Sequence, residues 1–185
     1  MYRMDNYIKD KKTILLKQKR TLFHTNDLAL LWNITNKNTL YTTIKRYIKD
    51  GTLIAIYKGF YSTIPLARQN QIELGMSSLH TFAYVSTETI LAREGIINQS
   101  PSAMTFISSV SKTFSLGKYM YRARQMKESL LYNDAGLIQK EQYKEATIER
   151  AIADMLYFDK AYYFDNKQLV NWEKVRDIQK EAGFI

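Results

Sequence analysis

The chain has 185 residues, with 27 Lys+Arg against 18 Asp+Glu and a formal net charge of +9. A hydrophobic fraction of 45% is enough for a folded core, and no apolar run approaches the ~20 residues of a membrane helix. Cys is absent and His occurs twice, which excludes disulfides, thiol catalysis and Cys-based metal sites and argues against a multi-His centre.

The charged N-terminal stretch has no apolar segment of the secretory kind, so a soluble cytoplasmic protein without cofactor or metal is expected. The charge itself is uneven. Residues 1–66 hold 12 Lys+Arg and 4 Asp+Glu, a balance of +8, whereas residues 67–185 hold 15 and 14, a balance of +1. Clustered cations suit polyanions through counterion release, and a merely solvated basic face is the competing reading.

In chain order, residues 4–16 show helix-like apolar spacing. Thr25 offers an N-cap and Asp27 a favourable first-turn acid for a short helix over 26–32. A polar turn, 33–37, carries one apolar anchor, Ile34. A second helix follows over 38–49, stopped by Asp50-Gly51. Its Leu40, Ile44, Tyr47 and Ile48 form one face, and Asn38, Thr42, Lys45, Arg46 and Lys49 the other. Two β-prone runs over 53–62 flank Lys58-Gly59, which reads as a hairpin turn. Helix, short helix, turn, helix, hairpin is the order of a winged helix-turn-helix, whose second paired helix enters the major groove.

That order assigns contacts to double-stranded DNA. Asn38, Thr42 and Arg46 can reach base edges, while Lys37, Lys45, Lys49, Lys58 and Thr25 can hold phosphates. Thr39 and Tyr57 complete the candidate set. A winged helix serving as a protein-binding module is the alternative. Membrane binding fits less well, because the basic face has no exposed apolar counterpart.

Residues 64–66 mark a domain boundary, giving domains over 1–66 and 67–185. Beyond it, short helices are expected over 69–74 and 88–93, the second capped by Ser86 or Thr87 and stopped at Gly95. His80 lies between them with no triad context and reads as a packing residue. Strands are expected over 105–109, 112–115 and 118–124, with Leu116-Gly117 as a turn. Arg122 and Arg124 then fall on one sheet face, expected to be solvated, with an acidic partner or nucleic acid as the alternative. A loop covers 130–136 and helices cover 148–158 and 169–181, where Arg150 and Asp154 read as a surface or partly buried i,i+4 pair. The expected class is α+β: an N-terminal winged helix-turn-helix followed by a mixed α+β C-terminal domain.

The stretch from Phe23-His24-Thr25-Asn26-Asp27-Leu28 to Tyr57-Lys58-Gly59-Phe60-Tyr61 resembles the winged-helix domain of the AbiEi antitoxins, regulators of bacterial abortive-infection loci. Tyr84-Val85-Ser86-Thr87-Glu88-Thr89-Ile90-Leu91, Gly95-Ile96-Ile97 and Thr105-Phe106-Ile107-Ser108 extend the likeness. The run from Ile148-Glu149-Arg150-Ala151 to Asp154-Met155-Leu156-Tyr157 is similar to that family's ERA-x-x-D-L-L helix. Thr147 departs from the family, which has a proline or serine context there.

The resemblance implies an antitoxin and transcriptional autorepressor. Its first domain would bind inverted repeats in its own promoter. Its second would counter a nucleotidyltransferase-like toxin, by direct contact or otherwise. A winged-helix regulator without a toxin is the alternative. An enzyme acting on nucleic acid is a third reading, against which no Asp-x-Asp pair or Gly-Ser phosphate loop is present; no catalytic residue is assigned.

Overall fold

In the computed structural model, which describes residues 10–185, Asp10 opens helix α1 (Lys11–Leu16) by accepting from the Lys12 N–H at 3.3 Å. The part of the expected first helix before Asp10 lies outside the described residues. Strand β1 (Leu22–His24) leads straight into α2 (Thr25–Trp32), and α3 (Lys37–Lys49) follows. Strands β2 (Ile54–Tyr57) and β3 (Phe60–Ser62) form a hairpin, and β1 pairs antiparallel with β3 to give the order β1-β3-β2.

The turn between α2 and α3 is built by Asn33 in the left-handed region, φ +51°. Asn enters that region more readily than other non-Gly residues, because its side chain hydrogen-bonds locally. The Ile34 N–H then donates to Ala29 O at 2.9 Å, and its side chain packs on the core. Leu15, Phe23, Leu28, Trp32, Leu40 and Ile44 lie in that core, and Trp32 Nε1 donates to Lys11 O at 3.0 Å, fixing α1 on α2.

By internal contacts the chain divides after Gln69, the second unit being Asn70–Ile185. This second unit begins with α4 (Gln71–Leu79), longer than expected, and β4 (Ala83–Val85). Next come α5 (Glu88–Arg93), β5 (Met104–Ser108), β6 (Lys112–Leu116) and β7 (Tyr119–Gln125). The rest comprises α6 (Glu128–Leu131), β8 (Leu137–Gln139), β9 (Lys144–Ala146), α7 (Ile148–Phe158) and α8 (Trp172–Glu181). The six strands form one sheet in the order β6-β7-β5-β4-β9-β8. Pairs β4–β9 and β5–β7 are parallel and the other pairs antiparallel.

Paired residues share a face, so the register sorts the sheet into two sides. Val85, Phe106 and Ala123 align on one side together with Tyr121. Helix α4 covers this side at Gly75, where a Cβ would stand 2.4 Å from the Tyr121 ring and 2.9 Å from Phe106. Tyr84, Ile107 and Arg124 align on the other side, against α5 and α7. The molecule is mixed α+β.

Several expectations change. Leu116 belongs to a strand and not to its turn. The expected loop over 130–136 begins inside α6. The last helix starts at Trp172 after a 3-10 turn, Lys167–Leu169. In α3, Ile48 is exposed and Thr43 takes its place in the buried stripe, its hydroxyl donating to Thr39 O at 2.8 Å.

Candidate functional site

On α3, at about 100° per residue, Asn38, Thr42, Lys45 and Lys49 fall in one stripe opposite Leu40, Ile44 and Tyr47. Arg46 and Thr39 flank the stripe on one side and Lys37 on the other. All seven polar side chains are exposed. The helix begins at Lys37, one residue earlier than expected, because the Asn36 side chain accepts from the Thr39 N–H at 3.1 Å. From Asn38 to Lys49 the stripe runs for about 16 Å at ~1.5 Å per residue, three turns of helix.

The described acids of this unit, Asp10, Asp27 and Asp50, are occupied elsewhere. Asp10 caps α1. Asp27 accepts from the His24 N–H at 2.7 Å and pairs with Arg20 at 3.4 Å. Asp50 closes α3 by accepting from the Thr52 N–H at 2.9 Å and meets Lys12 at 4.0 Å. Bonds from Thr52, with Lys12 and Arg46 nearby, hold the Asp50 carboxyl below its ordinary value. Among the described residues Lys37, Lys45, Lys49 and Lys58 form no ion pair, so the stripe keeps its positive charge unneutralised. Arg46 lies with its guanidinium 5.1 Å from the Tyr47 ring centre, and must leave that ring to reach a ligand.

Thr25 is placed differently from expectation. His24 is the N-cap and Thr25 the first helical residue. The Thr25 N–H donates to Gly59 O at 3.0 Å and its hydroxyl does so at 3.4 Å, tying α2 to the tip of the β2–β3 hairpin. That amide is therefore committed to the chain itself. Gly59 has φ +92°, which the tight tip requires, and Tyr57 and Lys58 beside it are exposed.

In the second unit the segments singled out in sequence converge. Arg150 and Asp154 are both fully buried, not at the surface, and Arg150 Nε donates to Asp154 Oδ1 at 2.8 Å. Arg150 Nη2 donates to the Tyr84 hydroxyl at 2.8 Å, and Nη1 to the carbonyls of Ala135 at 2.7 Å and Asn133 at 3.1 Å. The Ser86 hydroxyl donates to Asp154 Oδ2 at 2.6 Å and the Tyr84 hydroxyl to Oδ1 at 3.2 Å. Burial pushes the Asp154 carboxyl up, against the pull of Arg150, Ser86 and Tyr84. Burial likewise drives the Tyr84 phenol far above its ordinary range. Thr147 caps α7 by accepting from the Arg150 N–H at 3.2 Å.

Arg124 is also not on a solvated face: it pairs with Glu88 at the start of α5. Its neighbour on the same side of β7, Arg122, is exposed. The sequence carried no sign of this difference, since alternation identifies the side of a sheet and not what covers it. Among the described residues no group of three or more His, Asp or Glu is placed to hold a metal ion, and no helix is long and apolar enough to cross a membrane. No protein-family profile and no curated protein sequence matches the chain.

Proposed function

We propose that residues 22–62 act as a winged helix-turn-helix, with α3 as the recognition helix and the β2–β3 hairpin as the wing. The protein is then a transcriptional autorepressor of the AbiEi antitoxin type. The observation that carries this reading is the exposed stripe of α3, three turns of Asn, Thr, Lys and Arg with no acid and no internal ion pair. Asn38, Thr42 and Arg46 read base edges, while Lys37, Lys45, Lys49 and Lys58 hold phosphates. Thr25 contributes by fixing the wing at Gly59 and not by touching DNA.

The antitoxin half of the reading rests on the second unit. The Tyr84–Leu91 segment, Thr105 and the Arg150–Asp154 helix are far apart in sequence and bonded to one another in space. These are the segments that carry the family likeness, and they form one bonded cluster. The function assigned to the unit is to counter a nucleotidyltransferase-like toxin.

A footprint on the DNA upstream of the reading frame, repeated at several salt concentrations, tests the first half. Protection of inverted repeats is expected. Four lysine–phosphate contacts per subunit predict a slope of log K against log salt of about −4. Uniform affinity for unrelated duplexes would refute sequence-specific repression. Co-expression with a toxin encoded beside it tests the second half: Lys45→Ala/Lys49→Ala should lose repression and keep rescue. Loss of both together would contradict the division of labour.

A further inference from the structure

Residues 95–127 hold five Lys+Arg and no Asp or Glu, a balance of +5 that leaves −4 for the rest of 67–185. The near-neutral total of the second unit therefore hides a segment of one sign. It comprises the loop after α5, strand β5 and the β6–β7 hairpin, which forms one edge of the six-stranded sheet. Arg124 meets Glu88. Lys112, Lys118, Arg122 and Lys127 are exposed and meet no carboxylate among the described residues. A solvated face is served by charges of both signs, whereas a surface of one sign attracts a polyanion.

Aromatic rings accompany two of these cations. The register puts Lys112, Phe114 and Leu116 of β6 on the same side as Tyr119 and Tyr121 of β7. Phe106, Tyr121 and Phe114 stack across three neighbouring strands, with ring centres 5.9 and 5.2 Å apart and interplanar angles of 17° and 24°. The stack ends on Phe114, because β6 is the edge strand. Phe114 is half-buried there, with Lys112 Nζ 5.2 Å from its ring centre. Tyr119 occupies the diagonal position, with Lys118 Nζ 5.5 Å from its ring centre.

Beside Tyr119 opens a cleft of about 460 Å³ whose walls include Gln71, Ser100, Ser102 and Lys118 and, among the described residues, no Asp or Glu. The Gln71 amide and the two serine hydroxyls belong to exposed residues. They can bond a base edge or a 2′-hydroxyl, the group that distinguishes RNA from DNA. An aromatic plane, a cation beside it and neutral donors and acceptors around it are the parts of which single-strand sites are made.

We propose that this edge of the second unit binds single-stranded RNA, with bases stacked on Phe114 and Tyr119 and phosphates held by Lys112 and Lys118. A base arriving on either ring takes the place of the lysine, which turns to the adjacent phosphate. A duplex fits this surface less well for two reasons. Strand β7 is paired with β5 along 121–125, so the hairpin is no free ribbon to enter a groove. A duplex also keeps its base faces stacked on one another and away from side-chain rings. The proposal does not depend on DNA binding by α3, which lies in the other unit.

Fluorescence anisotropy of the full chain with a labelled oligo(U) of about ten nucleotides, and with oligo(dT) of the same length, tests it. Saturable binding of oligo(U), tighter than that of oligo(dT), is expected. Tyr119→Leu and Phe114→Leu should each weaken it about fivefold or more, as loss of a base–ring contact does. Phe114→Tyr keeps the ring plane and should bind as wild type. Lys112→Ala/Lys118→Ala should weaken binding and lower the slope of log K against log salt by about 1.4, at ~0.7 per phosphate contact. Lys45→Ala/Lys49→Ala should leave oligo(U) affinity unchanged, which separates this surface from the α3 stripe. Four outcomes overturn the proposal: no saturable binding of oligo(U), affinity indifferent to Tyr119→Leu, oligo(dT) binding as tightly as oligo(U), or a loss that follows Lys45 and Lys49 and not Lys112 and Lys118.

Discussion

Arg150 is the largest fully buried side chain of the described protein, and it is charged. Replacing it with Met keeps an apolar stem of similar length and removes every donor. Asp154 would remain at zero exposure with only the Ser86 and Tyr84 hydroxyls as donors, and the carbonyls of Asn133 and Ala135 would lose theirs. Breaking a buried pair by removing one partner costs about 3–5 kcal/mol, about a fifth or more of a typical domain's ~5–15 kcal/mol. With a urea dependence of about 2 kcal/mol per molar, the midpoint should fall by roughly 2 M. The double variant Arg150→Met/Asp154→Leu removes the stranded carboxylate and should recover at least half of that loss. The assay is a urea titration followed by Trp172 fluorescence. The other tryptophan, Trp32, belongs to the first unit, and a Trp32→Phe background removes its signal. A midpoint shift below about 0.5 M, or a double variant as unstable as the single one, would refute the reasoning, since either result means the pair is not the anchor its geometry describes.

Gly75→Ala should destabilise the second unit by about 1–3 kcal/mol, because the new methyl meets Tyr121 and Phe106, and better helix propensity regains only ~1 kcal/mol; urea titration reads the difference. Glu145 is pushed up by burial, but Arg93 at 3.0 and 3.2 Å and Lys140 at 3.0 Å outweigh it and hold the carboxyl below its ordinary 4.5. A depressed carboxyl contributes stability above its unfolded value and loses it as pH falls through the folded one. Wild type should therefore exceed Glu145→Gln in urea midpoint near neutrality, with the gap closing below pH 4.5; a gap that widens in acid contradicts the pairing. Arg46→Ala should weaken operator binding by about 1–3 kcal/mol and relax base preference in gel shifts, while an unchanged profile leaves Arg46 on the Tyr47 ring and out of the readout.

What could be read in advance follows from element length. Helices α3 and α7 run to 13 and 11 residues, long enough for the apolar period to repeat, and strand β7 shows a clear alternation over seven. Strands β1, β4, β8 and β9 have three residues each, too few to display any period. They are strands because a neighbour supplies their hydrogen bonds, as β5 and β9 do for β4. Caps were readable in type and not in place. Both His24 and Thr25 precede an apolar run, and Asp27 selects His24 by bonding its amide. At Thr87 the residue type was readable and the backbone was not, since a β-branched side chain gives no warning of positive φ.

The burial of Arg150 was legible from its companions and not from itself. An i,i+4 Arg–Asp pair ordinarily marks a solvated helix face. On α7 the residues between them, Ala151, Ile152 and Ala153, are all buried, as is Met155. Residues 150–155 are buried on every side of the helix, so that stretch has no solvent side to offer and the Arg150–Asp154 pair goes inside with it. The same consideration separates the charges of the two units. In the first, acids close turns and helix ends and leave the cations of α3 unpaired. In the second, a balance near zero conceals individual ion pairs, Arg93 with Glu145, Arg124 with Glu88 and Arg150 with Asp154. Net charge therefore locates a basic surface but is blind to pairs that cancel, including the one pair that is fully buried.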